Sequence, residues 1–145
     1  MDLKTFELLA RYNVWSTHKL NQALKNVSND DFNANCGLYF KSIAGTLNHL
    51  LVGEHYLWFP RFLAKPSPVL KLNTIIENDK DKLISQLEDK AHNWIGFLKD
   101  VDVEKFKYDL QYKTSTGKDM KLPYAALYCM FLIMGLITED KSQLL

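Results

Sequence analysis

The chain has 145 residues, of which 47% are hydrophobic and 24% charged, and its formal net charge is +1. That length can bury one core and predicts a single domain over 1–145, with the composition of an ordinary globular protein. The near-neutral charge, without a dense basic run, argues against a nucleic-acid partner, and two distant cysteines, Cys36 and Cys129, argue for reduced thiols rather than a disulfide scaffold.

The N-terminus turns amphipathic at once, with no apolar stretch of the signal-peptide kind, which predicts a cytoplasmic protein. A first helix is expected over Leu3 to Lys25: Asp2 can cap it, and Leu3, Phe6, Leu9, Leu20 and Leu24 recur at helical spacing. Asn13, Ser16 and Thr17 interrupt that stripe, so this part of the helix faces either solvent or a cavity inside a bundle. Asn26 to Tyr39 is predicted to be a loop. Phe40 to Phe62 resumes helical character, with Pro60 near its end, where a kink costs least. A turn follows over Ala64 to Pro68.

In the third helix Leu83, Leu87, Ala91, Trp94, Leu98 and Val101 form one face, and lysines and carboxylates, dense from Glu77 to Lys90, form a solvated one. Asp79 or Asp81 begins it, and Leu72 to Glu77 can add an earlier turn or two. Phe106 to Tyr112 reads as a short strand, Ser115 to Gly117 as a tight turn and Asp119 to Leu122 as the partner strand. Pro123 suits the first position of a fourth helix. Tyr124 to Ile137 then carries no charged residue, yet it is too short to span a bilayer and sits where a small bundle cannot bury a helix on every side. The elements add up to an all-α four-helix bundle with a short β-hairpin before a truncated fourth helix, and no membrane partner.

Three stretches carry a resemblance: Ala10-Arg11-Tyr12-Asn13-Val14-Trp15, then Phe40-Lys41-Ser42-Ile43-Ala44-Gly45-Thr46-Leu47-Asn48-His49-Leu50-Leu51, then Tyr112-Lys113-Thr114-Ser115-Thr116-Gly117 leading to Pro123. In this order they resemble the DinB family, damage-inducible metal-binding four-helix proteins akin to bacterial thiol transferases. The resemblance implies a divalent metal, zinc, nickel or a similar ion, held by three histidines. One comes from the second helix, at the position of His49, and two come from the fourth helix, one turn apart. Histidines at i and i+4 project together, and a third from a facing helix completes the base of an open site that can activate water or a thiolate. Here the fourth helix has no histidine, so His49 is the sole surviving ligand candidate, and a single imidazole cannot hold a metal tightly.

A shift of reading frame explains the loss. Permissible codons for Cys129 to Leu144, read in another frame, give His-Val-Phe-Asn-His-Gly-Thr-His-His-Arg-Gly-Gln-Ile-Thr-Ala. That peptide resembles the family's fourth-helix signature, including the histidine pair. Third codon positions are free to choose; the residues present largely force the other two bases of each shifted codon. A small insertion or deletion near Tyr128 is therefore expected.

The other candidates are weaker. His18, His55 and His92 lack ligand spacing with one another and read as surface or helix-end histidines. Glu54 reads as a neighbour of the former cavity or as a surface carboxylate, and on an α-helix its side chain diverges from that of His55 by roughly 100°. Tyr12, Asn13 and Trp15 either line a pocket or serve packing. Cys129, with no histidine beside it, reads as an inert buried thiol. Two function classes remain. One is a metal-dependent hydrolase or thiol transferase acting on a small molecule such as a low-molecular-weight thiol, inactive as written and holding little or no metal. The other is a non-catalytic bundle acting as a homodimer that hides its apolar fourth segment.

Overall fold

The computed structural model describes residues 2–66, 68–114 and 116–134. Its first helix, α1 (Leu3–Leu24), begins where the Asp2 carboxylate accepts the Thr5 N–H at 2.9 Å and the Thr5 hydroxyl at 2.8 Å. Phe6, Ala10, Asn13, Asn21 and Leu24 form its buried face. The loop expected next holds a short helix, α2 (Asn29–Asn33). Ser28 caps it through the Asp31 N–H, and fully buried Phe32 pins it to the core. One aromatic in a polar segment carries no periodicity, which is why the pattern missed it.

The second rod starts at Ile43 rather than Phe40. Lys41 has a φ of 71°, and the Ser42 hydroxyl accepts the Gly45 N–H at 3.0 Å. The chain folds back so closely here that a Cβ at Gly45 would overlap the Phe40 carbonyl oxygen. From there α3 (Ile43–Leu50) runs into a π-helical segment, Leu51–Trp58, and then α4 (Phe59–Phe62). Pro60 accounts for the widening: its ring would clash with the carbonyl four residues back, and the wider turn makes room without ending the rod. The Phe59 N–H accordingly reaches the Glu54 carbonyl, five residues back.

The third rod, α5 (Lys80–Asp100), begins at Asp79, whose side chain accepts the Lys82 N–H. The extra turn expected over Leu72 to Glu77 does not form. Asn48 occupies the backbone groups there instead: its Oδ1 accepts the N–H of Ile76 at 2.7 Å and of Glu77 at 3.0 Å, and its Nδ2 donates to the Glu77 carbonyl at 2.9 Å. A 3-10 turn, Val103–Lys107, takes Phe106 out of the expected strand and stacks its ring on Phe6 at 4.2 Å. The hairpin is β1 (Asp109–Lys113) against β2 (Asp119–Pro123), antiparallel, with Asp109 opposite Pro123 and Lys113 opposite Asp119. Gly117, at φ 82°, supplies the left-handed turn residue.

The fourth helix, α6 (Tyr124–Met134), packs against α1 and the hairpin. Tyr124, Leu127, Tyr128, Phe131 and Leu132 are buried on one side, while Ala126 and Ile133 stay exposed. An all-apolar sequence thus still docks by one stripe, because only the helical repeat decides which side chains meet the neighbours. The core has two apolar parts. One joins Phe6, Ala10, Trp58, Phe62, Trp94 and Tyr128, and the other joins Leu24, Phe32, Leu47, Leu51, Leu83 and Leu87. No helix among the described residues is long and apolar enough to cross a membrane.

Candidate metal centre and its polar surroundings

His49 lies near the end of α3 and is 4% exposed. Its ring stacks on Phe40, with centroids 4.0 Å apart and planes 18° from parallel. Nδ1 lies 3.0 Å from the Leu72 carbonyl oxygen. A carbonyl only accepts, so in the neutral ring Nδ1 carries the proton and Nε2 the lone pair. Metal-binding histidines are held by this kind of outer contact. The loop that Asn48 holds at Ile76 and Glu77 supplies that carbonyl from its turn at Leu72, so the neighbouring side chains of Asn48 and His49 grip the same loop.

Five residues further on, in the π-helical segment, Glu54 is also buried. The Trp94 indole N–H donates to its Oε1 at 2.8 Å, and Asn13 Nδ2 approaches the same oxygen at 3.4 Å. The same Asn13 nitrogen is 3.5 Å from the Leu132 carbonyl oxygen, so all four rods meet at this point. His55 is 7% exposed, and its Nε2 is 3.6 Å from Glu54 Oε1, beyond hydrogen-bond reach. Burial, with a smaller push from the Lys90 charge, lowers its pKa to about 3, so His55 is neutral near neutral pH.

Several buried polar atoms here have no hydrogen-bond partner among the described residues: Asn13 Oδ1, His55 Nδ1 and the Tyr128 hydroxyl oxygen. Burial pushes the Tyr128 phenol far above its ordinary range and raises the Cys129 thiol, so neither group is an anion near neutrality. The Tyr124 hydroxyl is held differently, donating to the Phe62 carbonyl at 3.0 Å, and its pKa rises to about 12 through burial.

Of the two readings left open for Glu54, the interior one holds, while the expectation of a surface or helix-end His55 needs correction: both residues are buried. They lie in a widened π-helical segment, whose successive residues turn by less than the roughly 100° of an α-helix. Asn13, Tyr12 and Trp15 also part company. Asn13 is buried, whereas Tyr12 and Trp15 are 42% and 53% exposed and stack on each other at 5.5 Å on the outer face of α1. His18 and His92 are exposed, as expected; His18 Nδ1 is 2.6 Å from Glu88 Oε1, and His92 Nδ1 is 2.9 Å from the Glu88 carbonyl.

The role of Trp94 as partner of Glu54 was missed, because its spacing places it on the apolar face of α5 and says nothing of its N–H. The available signal was Glu54 itself, a lone carboxyl inside the apolar run from Leu47 to Phe59.

As a test of fit, His49 is set as one ligand would be, but among the described residues no three His, Cys, Asp or Glu side chains converge to hold a metal. The residues described do not fit a three-histidine centre. The reading of Gly135 to Leu145 as part of a shifted frame lies outside the described residues. Compared with known proteins, the model of the DinB family matches residues 1–123. Neither the curated proteins nor the solved structures contain a match.

Proposed function

The chain belongs to the DinB family, and from that premise we propose that it is a DinB-fold protein whose ancestral metal centre has been reduced to His49. The ancestral activity is that of a divalent-metal-dependent hydrolase or thiol transferase on a small molecule, a low-molecular-weight thiol being the substrate class. As written, the chain is inactive in that reaction. The observation that carries this reading is where the family match stops: at residue 123, immediately before α6. On the near side of that point His49 keeps the burial, ring contact and Nδ1 contact suited to a ligand. On the far side no histidine occurs at all, the last in the chain being His92. The histidine-rich peptide encoded by permissible codons in another frame supports an insertion or deletion as the cause.

Metal analysis tests this on three purified proteins: the chain as written, its His49→Gln variant, and a version with the frame restored. About one divalent ion per chain is expected in the restored protein alone, raising its thermal midpoint because the ion binds only the folded state. Stoichiometric metal in the chain as written, lost in His49→Gln, would overturn the proposal. Sequencing the coding DNA tests the cause separately; codons that cannot yield the histidine-rich peptide dispose of the frame shift.

One observation favours a second reading, a non-catalytic bundle acting as a homodimer. Leu8, Tyr12 and Trp15 leave apolar surface on α1, at 66%, 42% and 53% exposure, and Ile133 leaves more on α6 at 39%. Association that strengthens with concentration, without metal, and weakens in a Leu8→Glu variant, is its expected signature.

A further inference from the structure

Arg61, in α4, lies under the hairpin, and its guanidinium carbon sits 4.5 Å from the centre of the Trp58 ring and 4.9 Å from that of Tyr112. Two aromatic faces hold the group in one orientation. Half-buried though it is, it has no carboxylate partner among the described residues, and its buried Nε–H has no acceptor. Burial lowers its pKa, while Tyr112 acts in the opposite direction. A half-buried cation without a counter-ion carries a desolvation cost that a bound anion would offset.

A cavity of about 520 Å³ opens beside it, between the end of the second rod and the hairpin. Arg61, Lys65, Gln111, Tyr112, Lys113 and Thr114 line it, and no carboxylate does so among the described residues. Lys113 is already paired with Asp119 at 2.8 Å, which leaves Arg61 and Lys65 as two positive charges without an ion-pair partner among the described residues. The carbonyls at the end of α4 are drawn away from the cavity by their own chain: Pro60 O accepts from the Lys65 N–H at 2.9 Å and Arg61 O from the Ala64 N–H at 3.0 Å. Gln111 and Thr114 add neutral polar groups.

We propose that this cavity binds a phosphate group, free or carried as a monoester on a small molecule, with the Arg61 fork and the Lys65 ammonium matching its two negative charges. The site is separate from His49 and does not depend on the state of the metal centre. Ala64, Pro66, Pro68, Val69 and Tyr112 add apolar walls that suit an ester whose organic part is flat.

The test is a titration of the full chain with inorganic phosphate and with phenyl phosphate, against sodium acetate and sodium chloride at matched ionic strength, read by the NMR shifts of the Arg61 Nε–H and the Lys65 and Lys113 amides. Saturable shifts with both phosphates are expected, phenyl phosphate binding more tightly. Each of Arg61→Gln and Lys65→Ala should weaken binding about tenfold or more. Lys19→Ala, on exposed α1 surface, should leave it unchanged. Lys65 is itself exposed, so its variant remains informative if Arg61→Gln fails to fold. Non-saturating shifts, equal shifts with acetate or chloride, or unaltered binding in Lys65→Ala would each overturn the site.

Discussion

Acid should unfold this protein earlier than its carboxylates alone require, and His55 is the reason. Its folded pKa is depressed from 6.5 to about 3 by burial. A histidine shifted in this direction contributes stability that is fully present above its unfolded pKa. That contribution is lost progressively as the pH falls from 6.5 toward the folded value, because the unfolded chain takes up a proton that the folded chain refuses. Each pH unit below 6.5 is worth about 1.4 kcal/mol, so at about pH 4.5 the accumulated loss is roughly 2.7 kcal/mol. This window lies above the range in which the depressed carboxyl groups of Glu88 and Asp2 begin to matter, since their ordinary values are 4.5 and 3.8. Urea unfolding followed by tryptophan fluorescence, repeated between about pH 7 and pH 4.5, measures the slope. His55→Gln, which cannot take up the proton, should flatten the curve by that amount. Parallel loss in the variant would refute the claim that the interior holds His55 neutral.

Other outcomes follow from the same contacts. Trp94→Phe keeps the ring packing but removes the 2.8 Å donor to Glu54, and should cost roughly 2 kcal/mol or more in the same urea assay, beyond a Phe97→Leu packing control. Asn48→Ala removes the bonds to Ile76 and Glu77 and should cost about 3 kcal/mol, with faster hydrogen exchange at those two amides. Gly45→Ala forces a Cβ onto the Phe40 carbonyl, and a loss of about 1–3 kcal/mol is expected from the backbone shift, read as a lower thermal midpoint.

What was legible in the chain was whatever repeats. The stripe of α5, the aspartate caps at Asp2 and Asp79, and the turn at Gly117 were all readable, because each depends on local spacing or on one residue's backbone preference. The family likeness was readable from the same local runs. The π-helical segment was not, since nothing in the Leu51 to Trp58 composition distinguishes a wide turn from a tight one; only Pro60, read as a mere kink, hinted at it. The burial of His55 therefore went unread, and Glu54 stayed undecided between cavity and surface. The pairing of Asn13 with Glu54 spans 41 positions, and no local pattern encodes a contact at that separation. His49 was found through the likeness to a family, and its link to the Leu72 carbonyl came only with the fold.

The shape of the bundle follows from contacts among its own side chains and backbone. Around His49 and Glu54 the protein's own groups do the holding: the Leu72 carbonyl and Phe40 ring fix one, and the Trp94 indole fixes the other. The contact that Asn13 makes with α6 is to a backbone carbonyl, that of Leu132, which any side chain at that position would offer. The helix is seated by Tyr124, Leu127, Tyr128, Phe131 and Leu132, an apolar stripe that closes the core without a ligand. Polar substitutions along such a helix leave the burial that stabilises it, because stability scales with the apolar area enclosed. The stripe holds α6 in place even though, among the described residues, Asn13 Oδ1, His55 Nδ1 and the hydroxyl of Tyr128 on α6 itself have no hydrogen-bond partner.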